Sequence, residues 1–198
     1  MGGAVYLLKL RRYPALLLLY GAGVGAIAAG NFSTLGAVLT KPKVGNGSST
    51  SGPICLEVFP SAVMETEIGR LLPGLDRHHT PVSDHLFERL REPLRPFLPR
   101  DEDYQGAFDR FEYFLGLIHA DLTRYETEHG WWGPVGCFGW RGRRYSQESS
   151  VSNKISAEME ASGSDWGPLK AGLFGGSIEQ AMIAKQKFDG FLAMAEWR

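Results

Sequence analysis

Asp76, His78, His79, Asp84 and His85 fall within ten residues of one another, and imidazoles with carboxylates are the ligand types that hold zinc, manganese or iron. Their spacing argues against a metal centre. Ligands on one helical face need the turn-apart spacing of H-E-x-x-H, and Pro81 interrupts this run, so the cluster reads as a polar loop between helices. His119 and Asp121 stand two apart, which points them in different directions, whereas a metal-hydrolase HD pair has them adjacent. Cys55 and Cys137 are too few for a disulfide scaffold or a tetrahedral zinc site and read as small buried hydrophobes. No metal and no cofactor is expected.

The remaining chemistry-bearing features are weaker. The chain has no G-x-x-x-x-G-K-[ST], G-x-S-x-G or C-x-x-C, and the glycines Gly21, Gly23 and Gly25 lie inside an apolar helical run with no strand leading into them. No catalytic residue is assigned. Arg141, Arg143 and Arg144 beside Trp140 form the one local basic spot beyond the N-terminal region, and three arginines in a glycine-rich stretch read as a solvated rim. With Trp131 and Trp132 they are the candidate partner contacts, since exposed tryptophans and arginines anchor protein interfaces.

The elements that must position these residues begin with an apolar run from Tyr13 to Leu39 that holds no acidic side chain. As a membrane span it is short. A helix from Pro14 to Gly30 rises about 25 Å against a hydrocarbon core of roughly 30 Å, and extending it to Leu39 would bury Asn31, Ser33 and Thr34. As a signal peptide it offers Lys9, Arg11 and Arg12 as a basic segment, Ala15 to Val24 as the apolar stretch and Ala26-Ile27-Ala28 as a cleavage site, but Val5 to Leu8 are apolar upstream of the charges. As packed helices it needs neither concession. Residues 4–12 would form an amphipathic helix, Pro14 would open a second ending near Gly30, and Asn31 would cap a third.

The chain of 198 residues, 43% hydrophobic, is long enough for a sizeable core. Its net charge of −1 hides an asymmetry: Lys9, Arg11, Arg12, Lys41 and Lys43 carry the first 45 residues without an acid, and the residues after them sum to about −6. Without a basic stripe the body is a poor match for nucleic acid. The organisation expected is an apolar helical hairpin over 1–42, a flexible loop over 43–53 and an acidic, mainly helical body over 54–198.

Within that body, Ile54 to Phe59 reads as a short strand or extended segment, and Ser61 starts a short helix to Leu72. Ser83 or Asp84 caps a helix carrying Leu86, Phe87, Leu90 and Leu94. The clearest helix begins at Asp101-Glu102-Asp103 and carries Tyr104, Phe108, Phe111, Leu115 and Ile118 at three- and four-residue spacing; Glu112 falls on what reads as its solvated side. Gly130 to Gly142, GWWGPVGCFGWRG, reads as an irregular β-hairpin or tight loop. Helices follow over 151–161, 166–174 and 177–197. The fold class is therefore mainly α, a multi-helix bundle or orthogonal helical array with a small irregular β-hairpin.

Read in order, RYPALLLLY from Arg12, FDRFEYFLGL from Phe108, WGPVG from Trp132 and GLFGGS from Gly172 resemble the C-terminal helical region of large bacterial multidomain proteins. Those proteins carry SIR2-like or STAND-like effector modules of antiphage-defence type upstream. The resemblance rests on packing residues and transfers no site residue. It implies an intracellular, non-catalytic module with a protein partner or upstream domain.

The expected function is accordingly a cytoplasmic helical interaction or sensing module. One alternative is a membrane-anchored or secreted protein, using residues 13–39, with a soluble helical domain. The other is a metal-dependent hydrolase using His78, His79, His85 or His119.

Overall fold

Pro14 occupies the first turn of helix α1 (Tyr13–Ala28), where its missing N–H costs no hydrogen bond. The structure is a computed structural model that describes residues 12–45, 51–59, 74, 78–123, 135–144 and 150–194. Helix α1 ends on a left-handed Gly30 (φ 62°), with the Gly30 and Asn31 N–H groups donating back to Ile27 O and Ala26 O. Those two bonds satisfy carbonyls that the helix end would otherwise orphan. Asn31 at once caps α2 (Phe32–Thr40), its Oδ1 accepting from Thr34 N–H at 2.9 Å. Residues 1–11, including the helix expected from residue 4, lie outside the described residues, as does the helix expected over 61–72.

The described residues of the polar segment after α2 form strands where its composition predicts a flexible loop. Strands β1 (Lys43–Gly45) and β2 (Ser51–Pro53) pair antiparallel, Lys43 opposite Pro53. A small hairpin therefore lies here, whereas the described part of the stretch expected to form one is helical over Phe138–Arg144. The expected strand from Ile54 is instead a single helical turn, α3 (Ile54–Glu57), which buries Cys55.

Helix α4 (Pro81–Leu94) starts behind Thr80, which takes the cap position expected of Ser83 or Asp84. Asp84 instead binds His78 Nδ1 at 2.9 Å, and Ser83 turns into the core. Arg91 fastens the link to the next helix by donating to the Leu98 and Pro99 carbonyls and to Asp101.

Helix α5 (Asp101–Leu122) begins with three acids that face its positive dipole end. Every residue from Phe111 to Ala120 is buried, so this helix is enclosed on all sides and has no solvated face at mid-length. Its neighbours come close because two glycines let them. A methyl at Gly23 of α1 would lie 1.9 Å from the Phe111 ring, and one at Gly116 would lie 2.2 Å from Phe188.

The rest of the chain wraps this axis. Helix α6 (Phe138–Arg144) stands where an irregular hairpin was expected; its glycines cost helix propensity, and burial of Cys137 and Phe138 against the core offsets that cost. Helix α7 (Val151–Ser162), capped by Ser150, is tied to α5 by the fork of Arg110 on Glu158 at 2.5 and 2.6 Å. One turn, α8 (Gly167–Lys170), and a 3-10 turn over Leu173–Gly176 lead to α9 (Ile178–Met194). The Asp189 carboxylate of α9 accepts from Tyr113 of α5 at 2.7 Å and from Ser152 of α7. The protein is a mainly helical array around α5, and no helix among the described residues is long and apolar enough to cross a membrane.

Candidate functional site

Asp109 and Glu112 lie three residues apart on α5, a spacing that puts both carboxylates on one face of the helix. Three other helices close over that face. Tyr20 of α1 donates to Glu112 Oε1 at 3.0 Å, and Ser83 of α4 donates to the same oxygen at 2.5 Å. Ser83 Oγ in turn accepts the Cys137 backbone N–H at 2.9 Å, just before α6. The Cys137 thiol reaches Glu112 Oε2 at 3.6 Å and Asp109 Oδ1 at 3.8 Å. Arg141 of α6 completes the group, its guanidinium 2.8 Å from Asp109 Oδ1 and 4.1 Å above the Phe87 ring.

The electrostatics follow from burial. Glu112 is 2% exposed, and loss of water, reinforced by the Asp109 charge, pushes its carboxyl up to about 7 against the pull of the Ser83 and Tyr20 hydrogen bonds. Burial also raises Asp109, with Arg141 opposing. The Cys137 thiol is held well above its ordinary range, first by burial and then by the Glu112 charge, so it is no nucleophile at neutral pH.

Asp109, Glu112 and Cys137 are the one set of three metal-ligating side chains among the described residues whose ligand atoms all lie within 4.8 Å. A cation there would have to displace a guanidinium already bonded to Asp109 and a proton from a thiol that resists ionisation. What the group does well is keep one proton in a dry place shared by α1, α4, α5 and α6.

The site opens on one side. A cleft of 550 Å3 between α5, α6 and α7 has Asp109, Arg110, Phe138, Arg141, Ser150 and Lys154 among its lining residues. Arg141 is therefore no solvated rim: its side chain is 12% exposed, and Trp140 beside it is half-buried. Trp131 and Trp132 and the side chains of Arg143 and Arg144 lie outside the described residues.

The histidines of the hydrolase reading do not converge among the described residues. His78 binds Asp84, His85 Nε2 lies 2.8 Å from the Tyr13 hydroxyl, and His79 is exposed. His119 is buried edge-on to Phe59, and burial lowers it to about 4, so it is neutral at physiological pH. Asp121 accepts from Gln180 at 2.5 Å.

Sequence reasoning missed the Glu112 group. The signal was present in two carboxylates three apart, with Glu112 set directly against the aromatic and aliphatic run Tyr113 to Ile118. No protein-family model, no curated protein and no solved structure matches this chain.

Proposed function

We propose that this chain is a cytoplasmic helical interaction module that carries out no chemistry alone and serves as the C-terminal part of a larger bacterial defence-type protein. The observation that supports an interaction role is the outward side of α1. Pro14, Leu18 and Ala22 are exposed at four-residue spacing, Leu18 at 74%, and no charged side chain occurs between Tyr13 and Thr40. The two tyrosines of that helix are spent inward, on His85 and Glu112. A bare apolar stripe on the outside of a packed helix is what a neighbouring protein surface covers.

The buried carboxylates support the non-catalytic half of the reading. Asp109 and Glu112 are committed to neighbouring helices, and the serine and thiol beside Glu112 are themselves buried and bonded within the cluster.

Position 18 gives the test. A photoreactive side chain placed there in the full-length protein in cells should yield a discrete protein adduct and no lipid adduct. Lipid adducts with recovery only in the membrane fraction would replace the proposal with the membrane-anchored alternative. Adducts to neither would remove the interaction role of this stripe. The same preparation, purified without chelator, should carry no stoichiometric zinc, manganese or iron; stoichiometric metal would restore the hydrolase reading.

A further inference from the structure

We propose that Glu112 is a proton-operated latch: its protonated carboxyl holds the Phe138–Arg144 helix against α5, and its ionisation loosens that helix and opens one wall of the adjoining cleft. The inference stands on the buried cluster and does not depend on the interaction role of α1.

The first support is charge. With Glu112 ionised, the cluster holds two carboxylates and one guanidinium, a net negative charge in a buried site; with Glu112 protonated it is neutral. The groups that face it are Tyr20 from α1, Asp109 from its own helix, Cys137 ahead of α6 and Arg141 on α6, with Ser83 from α4 as a neutral donor. Tyr104, also on α5, spends its hydroxyl on the Phe87 carbonyl. Arg141 is the only cation in this set, and it is bonded to Asp109 and not to Glu112. Deprotonation therefore has no dedicated counter-charge.

The second support is which element would yield. Gly136 lies directly over the carboxyl, where an added methyl would sit 1.9 Å from Oε2, so the Gly136–Cys137 segment is what keeps water off that oxygen. Helix α6 is only seven residues long, and it is anchored by buried Phe138 and by Cys137 just ahead of it, with Trp140 partly buried against the core. Helices α1 and α4 bring much longer apolar faces to the same core and are the harder parts to move. Phe138 and Arg141 also line the cleft, so any withdrawal of α6 changes that cleft first.

The sign follows from linkage. Burial places the docked carboxyl at about 7, whereas a released, hydrated one returns toward the ordinary glutamate value of 4.5. The docked state thus binds the proton more tightly, and docking weakens as pH rises. For those two values the release equilibrium grows about tenfold from about pH 6 to about pH 8.

Hydrogen exchange read by mass spectrometry on the full chain, corrected for the intrinsic pH dependence of amide exchange, tests this. Protection over residues 135–144 should fall about tenfold across that interval while protection over 178–194 stays constant. Glu112→Gln, a neutral isostere, should make the 135–144 protection independent of pH. Constant protection in the parent, a parallel loss over 178–194, or the same fall in Glu112→Gln would each overturn the proposal. Should Glu112→Gln fail to fold, carbon-13 titration of the Glu112 carboxyl in the parent decides: a midpoint near 7 that coincides with the fall in 135–144 protection upholds the latch, and a midpoint near 4.5, or one that the protection does not follow, ends it.

Discussion

Phe111→Ala is expected to destabilise the protein by about 3–5 kcal/mol in urea denaturation, because the void it leaves cannot be refilled from either side. The ring is fully buried and meets Tyr20 edge-on at 4.9 Å. Across from it stands Gly23, whose missing side chain is the notch that the ring occupies. With alanine at 111 and glycine at 23, neither α1 nor α5 has atoms to offer. Such a loss is a large part of the roughly 5–15 kcal/mol that holds an ordinary domain. A parent-like midpoint would mean that α1 does not seat on α5 at this notch.

The adjacent residue makes a sharper comparison. On sequence alone Glu112→Ala belongs to a solvated face and should move stability by no more than about 0.5 kcal/mol. The structure revises that figure upward. Alanine would strand the Tyr20 and Ser83 hydroxyls in the core, and unsatisfied buried donors cost about 1–3 kcal/mol each, partly offset by removal of a desolvated carboxyl. The expected loss is on the order of 2–4 kcal/mol. It should be largest near and below about pH 4.5, and shrink as pH rises to about 7 and the burial penalty of the parent carboxylate grows.

Glu112 also marks where sequence stops being informative. Pro14, Gly30 and Asn31 announce the ends of α1 and the start of α2 because capping is decided within a few residues. The apolar period of α5 announces its core role in the same local way. Phe114, Leu117 and Leu122 widen that face beyond a single seam and put the helix in the middle of the body, but the period does not state that the side carrying Glu112 is covered too. Glu112 is buried by Tyr20, Ser83 and Cys137, partners 92, 29 and 25 residues away, and no local pattern reports on them. The helix at Phe138–Arg144 was hidden for the same reason. Its glycines argue locally for a loop, while Phe138 against Tyr113 and Phe188 and Arg141 on Asp109 hold it helical. The strand pair at Lys43–Pro53 escaped notice because its residues are polar and small and show no alternation for a buried face.

Arg141→Ala is expected to cost about 3–5 kcal/mol, since it leaves the Asp109 carboxylate buried beside Glu112 with its cation gone. Part of the loss is packing, because the guanidinium also covers the Phe87 ring at 4.1 Å. Arg141→Lys separates the two contributions: it retains a charge but loses the planar fork and the stacked face, so a partial loss is expected. Burial already raises Asp109 with Arg141 holding it down, so removing the cation raises it further. A carboxyl whose folded value is raised destabilises increasingly as pH climbs from its unfolded value through its folded one. The loss from Arg141→Ala should therefore be larger at pH 8 than at pH 5. Adding Asp109→Asn should recover part of the stability and flatten that dependence, which a double-mutant cycle measures. A cost under about 1 kcal/mol that does not vary with pH would return Arg141 to the solvated rim that its glycine-rich surroundings suggest, and would leave the buried carboxylates to find their balance without it.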